Sequence, residues 1–206
     1  IACGYEDGND SDELRKDPIM KIACERLPDD KTALASQPTI SRFENCISRT
    51  DLYRIAEVFV DVFIQSYSEP PEGIILDIDD TDDLTHGGQQ LTLFNAYHGD
   101  YCYMPIHIYE GQSGKLITTV LRPGKRPTGK QIVSILKRVV KKIRQAWPEV
   151  GIILRGDAYY SCPEVFDFCE DNDMSYVLGF NPLSPLVRQL KPVVQEASQR
   201  FKQEKH

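Results

Sequence analysis

The sequence predicts an α/β fold in which a mixed sheet carries helices on both faces, with a helical segment ahead of it. Three observations predict it. Apolar runs at 74–79, 151–154 and 175–180 are short and bounded by turn signals, as buried strands are. Two longer stretches, 51–67 and 129–147, repeat apolar residues at i, i+3, i+4 and i+7, the spacing of one helix face. Between the first run and the second of these helices, residues 91–121 are rich in aromatic and β-branched types, with "GQSG" at 111–114 as a turn.

Taken in order, residues 1–50 are polar, with "DGNDSDE" and "LPDDK" as loop signals and short helical stretches near 12–26 and 39–47. The helix that follows Thr50 or Asp51 as its N-cap turns Leu52, Ile55, Ala56, Phe59, Val60, Phe63, Ile64 and Tyr67 to one side, and "SEPPEG" stops it. The strand 74–79 follows, and 102–121 reads as a hairpin. "RPGKRPTG" breaks the chain before a helix whose inward face is Ile132, Ile135, Leu136, Val139, Val140, Ile143 and Trp147. "GIILR" is a buried strand, and Pro163 opens a short helix with Val165, Phe166 and Cys169 inward. "SYVLGF" is another strand, and 184–204 is a polar helix. Three antiparallel strands followed by helix-linked parallel ones is the ribonuclease H-like arrangement. The expected division is a helical N-terminal segment, 1–70, and a core over 71–206.

With 206 residues, 41% apolar and 27% charged, the chain has the composition of an ordinary globular protein. No apolar run reaches the roughly 20 residues of a membrane helix. The start, "IACGYEDGND", lacks Met and the regions of a signal peptide, so a cytoplasmic location and an internal piece of a longer protein are expected. Six scattered cysteines without a C-x-x-C pair read as buried free thiols and give no support to a zinc site. The net charge of −7 hides an asymmetry. Residues 1–114 hold 22 acids and 8 bases, whereas 115–144 hold ten bases and no acid. Lys125, Arg126, Lys130, Lys137, Arg138, Lys141 and Lys142 in that segment are the candidates for contact with phosphates.

The strongest chemical signal is "IILDIDDTDDLTHGG", with Asp77, Asp79, Asp80, Asp82 and Asp83 behind an apolar run. Like charges so close are costly unless something offsets them, and a divalent cation is the usual candidate. Alternation along a strand puts Asp77 and Asp79 on one face and Asp80 on the other. Asp80, Asp82 and Asp83 read as turn residues. In "RGDAYY", Asp157 follows a second apolar strand. If the two strands are neighbours, their terminal carboxylates converge on a site for Mg²⁺ or Mn²⁺, and a pair of such ions can drive hydrolysis or transfer at phosphorus.

These phrases carry a resemblance. "LDIDDT" with "THGGQQ", then "LRPG", "RGDAYY" and "PEVFDFCEDND" are similar to the bacterial insertion-sequence transposases of the DDE type. "GYEDGNDSDELRKDP" and "LASQPTISRFEN" resemble the segment that precedes the core in that group. The resemblance implies that Asp79, in an Asp-x-Thr pattern with Thr81, is the first catalytic acid and Asp157 the second. Asp77 becomes a supporting or alternative metal residue. His86, Gly87 and Gly88 match a phrase recurring after the first strand. It implies two Mg²⁺ (or Mn²⁺) ions, DNA ends and target DNA as partners, a homodimer in the transposition complex, and no membrane. It also implies a third acid, a Glu after a long β-rich insertion, which is expected beyond residue 206 and without which this piece alone is expected to be inactive.

Two rival readings exist. Asp-x-Asp-x-Thr after an apolar strand is also the nucleophile motif of haloacid dehalogenase-type phosphatases, with Asp77 attacking phosphorus and Asp79 as general acid/base. That reading needs a second Asp four or five residues after Asp157, where Ser161 and Cys162 stand, and helical crossovers where this chain has a hairpin. The other rival is a catalytically dead relic that binds DNA through its basic helix. His98 and His107 read as structural.

Overall fold

The computed structural model describes residues 8–85 and 92–204. The chain divides into two compact units, Ile1–Ile55 and Ala56–His206. In the first, a short 3₁₀ turn leads into α1 (Ser11–Leu14), α2 (Pro18–Ala23) and α3 (Gln37–Asn45). Asp17 caps α2, its carboxylate accepting from the Ile19 and Met20 amides, with Pro18 at the first helical position. The division falls inside α4 (Arg49–Gln65). This helix starts earlier than expected because Ser48, rather than Thr50 or Asp51, caps it. The Ser48 hydroxyl and amide both donate to the Asp51 carboxylate, and the Asp51 amide returns a bond to the Ser48 hydroxyl.

The second unit is built on a five-stranded sheet of β1 (Gly73–Asp80), β5 (Ile106–Glu110), β6 (Leu116–Val120), β7 (Gly151–Gly156) and β8 (Ser175–Leu178), in the order β6-β5-β1-β7-β8. β1, β5 and β6 are antiparallel, and β7 and β8 run parallel to β1. The expected ribonuclease H-like order is therefore present. The connections from β6 to β7 and from β7 to β8 are the helices α5 (Gly129–Ala146) and α6 (Pro163–Asp171), and α7 (Ser184–Glu204) follows β8. The hairpin over 102–121 is shorter than expected. Residues 100–103 instead form β4 (Asp100–Tyr103) of a separate small sheet, between β2 (Asp83–Leu84) and β3 (Leu93–Asn95).

The core lies on one face of the large sheet. Ile74, Leu76 and Ile78 of β1 alternate into it and meet Ile152 and Leu154 of β7 and Ile106 and Ile108 of β5. Burying a side chain of this size contributes about 1.5–3 kcal/mol. The face of α5 that buries Ile132, Leu136, Val139, Val140 and Ile143 covers this layer, and a Thr128–Gln131 capping box starts the helix. The far half of α4 adds Val60 and Phe63, and Phe63, Tyr67 and Trp147 pack edge to face with centroids 5.3–5.7 Å apart. Leu52, Ile55 and Phe59, expected inward, are exposed. In α6 the inward positions belong to Val165, Phe168 and Cys169; Phe166 instead packs against Tyr176. The cysteines also differ from expectation, since Cys24 and Cys46 are exposed while Cys102 and Cys169 are buried. Among the described residues no helix is long and apolar enough to cross a membrane.

Candidate active site

The parallel pairing of β1 with β7 sets Leu76 beside Leu154, Asp77 beside Arg155 and Ile78 beside Gly156. One residue further along each strand stand Asp79 and Asp157. Both line a cleft of about 300 Å³, together with Asp77, Asp80, Thr81, His107, Tyr109 and Arg155. The two sequence-predicted acids are thus brought to one place. His107 faces Asp79 across the antiparallel β1–β5 pair, and its Nδ1 lies 3.0 Å from the Thr119 hydroxyl.

Each acid is oriented locally. Asp79 Oδ1 accepts from the Asp80 amide at 2.9 Å, and Asp157 Oδ1 accepts from the Tyr159 amide at 2.8 Å. One oxygen of each is thereby fixed, and the other has no hydrogen-bond partner among the described residues.

Asp77 occupies a different environment. The Arg155 guanidinium grips it in a two-point clasp, Nε to Oδ1 at 2.9 Å and Nη2 to Oδ2 at 2.5 Å. That hydrogen bonding holds the Asp77 carboxyl below the usual carboxylate range. Both Asp77 oxygens are thus engaged by Arg155, which links β1 to β7. The pair is partly exposed, so its net stabilisation is about 1 kcal/mol or less, and its value lies in register.

Asp80, expected as a turn residue, is half-buried at the end of β1, and its Oδ1 accepts from the Tyr160 hydroxyl at 3.0 Å. Burial raises its carboxyl above the ordinary value, the Tyr160 bond opposes this, and the charges of Asp79 and Asp157 raise it further. Tyr160 is fully buried, and burial with the nearby acids drives its hydroxyl far up, so it acts as a donor only. Burial likewise pushes Tyr159 up to about 12. Arg122 sits half-buried beside this group, its guanidinium acidified by desolvation and drawn back by Asp80 and the tyrosines. Asp82 lies 3.6 Å from His98. Gly87, Gly88 and His86 lie outside the described residues.

The basic candidates separate into three groups. Lys125 and Arg126 are on the loop before α5, where Arg126 Nη2 donates to the Tyr159 carbonyl at 3.0 Å and its guanidinium lies 4.4 Å from the centre of the Tyr159 ring. Lys130, Lys137, Arg138 and Lys141 are on the exposed side of α5. At 1.5 Å per residue, Lys141 is about 17 Å along the helix from Lys130. Lys142 is committed elsewhere, its Nζ 2.7 Å from Asp61 of α4, so it departs from the expected phosphate-facing set.

Sequence reasoning did not single out Arg155, Tyr159, Tyr160 or Arg122, which stand beside the acids. Three of them stand in the "RGDAYY" phrase that revealed Asp157. Among the described residues no group of three or more His, Cys, Asp or Glu is arranged to hold a metal ion.

The family model "Transposase DDE domain group 1" matches residues 1–206, the whole chain. No curated protein matches the sequence. Among solved structures, the chain is similar to the catalytic domain of Mos1 mariner transposase, with 14% identity and a TM-score of 0.40, covering 77% of this chain and 81% of that one. It is similar to a chain of the simian T-cell lymphotropic virus intasome in complex with PP2A regulatory subunit B56 gamma, at 16% identity and a TM-score of 0.36. It is similar also to piggyBac transposase in a synaptic complex with hairpin DNA, at 11% identity and a TM-score of 0.39. These two alignments cover 63% and 86% of this chain but only 42% and 44% of the others.

The clasp predicts a pH signature. A carboxylate held below its unfolded value, about 3.9, adds stability above that value and loses it as pH falls through the folded one. Asp77→Asn should therefore lower stability at pH 7, by about 1 kcal/mol or less, and the difference from the parent chain should shrink as the pH is taken below the unfolded value of about 3.9. Urea unfolding at the two pH values measures it; a difference that persists unchanged in acid contradicts the clasp.

Proposed function

The chain belongs to the transposase DDE domain group 1 family, and on that premise we propose that Asp79 and Asp157 form the metal-holding part of a site that cuts DNA at the ends of a mobile element and joins the freed 3′-hydroxyls to target DNA. The observation that carries this reading is the convergence of the two acids, one step past the last paired residues of β1 and β7, in a single cleft.

The DDE transposase family is metal dependent. The residues present fit one. Carboxylate oxygens from adjacent strand ends are the hard ligands Mg²⁺ or Mn²⁺ takes, and the mutual repulsion felt at Asp80 is what a cation relieves. We assign Asp79 and Asp157 to two such ions, which when bound supply counter-charge to the phosphate and orient the attacking oxygen. The chain's own residues do the rest. Asp79 and Asp157 each keep one oxygen on a backbone amide and offer the other. Asp77 and Arg155 hold the strand ends in register. The attacking group is external, water for cleavage and a 3′-hydroxyl for joining, and no covalent protein intermediate is needed.

Lys125, Arg126, Lys130, Lys137, Arg138 and Lys141 are our DNA-backbone set, the helix carrying charge away from the cleft along a bound duplex. Two ends of one element call for two copies acting together, so we assign a homodimer to the complex. The phosphatase alternative finds no support. Its nucleophile, Asp77, is held at both oxygens by Arg155, and an antiparallel strand, not a helical crossover, follows β1.

Two outcomes test the reading in the full-length enzyme. Asp79→Asn or Asp157→Asn should abolish DNA cleavage while binding of the element end stays within about threefold, a change of ~0.7 kcal/mol; cleavage near the parent rate in either variant contradicts the assignment. Reversing charge at Lys137 and Lys141 should weaken DNA binding and reduce the slope of log affinity against log salt by about one for each lost phosphate contact. Affinities that stay unchanged across the salt series remove these residues from the interface.

A further inference from the structure

We propose that Arg126 is a positioning residue for Asp157, acting through Tyr159, rather than only a contact for the DNA backbone. The inference rests on the reading of Asp157 as a metal-holding acid. The observations behind it form a chain. Asp157 opens a tight turn in which the Tyr160 amide donates to the Asp157 carbonyl at 3.3 Å and the Tyr159 amide donates to Asp157 Oδ1. The orientation of the carboxylate is therefore set by where residue 159 is held.

Arg126 holds that residue at two places. Its Nη2 binds the Tyr159 carbonyl, and its guanidinium plane lies over the Tyr159 ring. Carbonyl and ring together define the backbone and side chain of one residue, and a planar, forked guanidinium is suited to engage both, where an ammonium is not.

The loop carrying Arg126 is itself braced. Arg122 Nη1 donates to the Lys125 carbonyl, Asn95 Nδ2 donates to the Gly124 carbonyl, and Tyr103 bridges to Pro123. Gly124 has no room for a side chain, since a Cβ there would come within 2.3 Å of the Cys102 carbonyl oxygen.

The turn is closed from the opposite side by the end of β8. Gly179 donates to the Gly156 carbonyl at 3.0 Å, and a Cβ at 179 would sit 2.7 Å from the Ala158 nitrogen. Below it, buried Tyr160 ties the turn to Asp80. Arg126 ties the basic loop to this turn, so the element that would meet DNA and the acid that would hold metal are mechanically joined.

The test compares Arg126→Ala, Arg126→Lys and Lys130→Ala in the full chain. Lys130→Ala removes a neighbouring charge without touching Tyr159. Amide hydrogen exchange of residues 158–160 is one readout, and Mn²⁺ binding followed by electron paramagnetic resonance is the other. Both Arg126 variants should speed exchange in this turn about tenfold or more and weaken Mn²⁺ binding about tenfold, while Lys130→Ala changes neither. Arg126→Lys should keep DNA affinity within about twofold of the parent, because the charge is retained. Exchange at 158–160 that stays at the parent rate in Arg126→Ala overturns the inference. If the parent chain binds no Mn²⁺, the metal reading fails, and the exchange readout still decides whether Arg126 holds the turn.

Discussion

The site depends on the register of the parallel pair between β1 and β7. Because Ile78 sits beside Gly156, the next residues on the two strands are Asp79 and Asp157, and both reach the same cleft. A slip of one residue on either strand would send an acid into the apolar layer that Ile74, Leu76 and Ile78 share with α5. The apolar alternation on the buried face and the Asp77–Arg155 clasp on the other face specify the same register. The clasp contributes little to net stability, yet it sits immediately before the acids, where a frayed strand end would matter most.

The acids are placed at an electrostatic cost. Asp80 feels both Asp79 and Asp157 and is half-buried, so its carboxyl is driven up rather than down. The protein limits the cost by supplying donors: the Tyr160 hydroxyl to Asp80, and backbone amides to Asp79 and Asp157. It does not remove the repulsion, and a divalent cation in the cleft would. A half-buried Asp80 raised by burial and by its acidic neighbours, beside an Asp77 that is fully paired, supports the binding-site reading proposed for this cleft.

Much of this was legible in the chain. Strands appear wherever a short apolar run ends in Gly, Asp or Pro, and α5 was plain because its apolar face keeps helical spacing over five turns. The order of elements then carried the sheet topology, and the phrases around Asp79 and Asp157 pointed to the two acids that line one cleft. What could not be read depends on contacts between residues distant in sequence. Lys142 looks like any lysine of the basic helix until α4 brings Asp61 to it. Asp77 and Asp79 share a strand face, but only the neighbouring strand reveals that one meets Arg155. Tyr160 reads as an ordinary aromatic until the turn after β7 buries it against Asp80. The small sheet of β2, β3 and β4 escaped because its strands are two to four residues long, below the length at which alternation is informative. The near half of α4 misled because its apolar period is intact while Leu52, Ile55 and Phe59 remain exposed.

The central claim is that Asp79 and Asp157 act as one metal site. Its most direct test is a Mn²⁺ titration of the parent chain, Asp79→Asn, Asp157→Asn and the double variant, followed by electron paramagnetic resonance. The account predicts that each single substitution removes the tightest binding and that the double variant loses no more than either one, the non-additivity of two ligands to a shared site. Parent-like binding in either single variant, or losses that simply add, would contradict it.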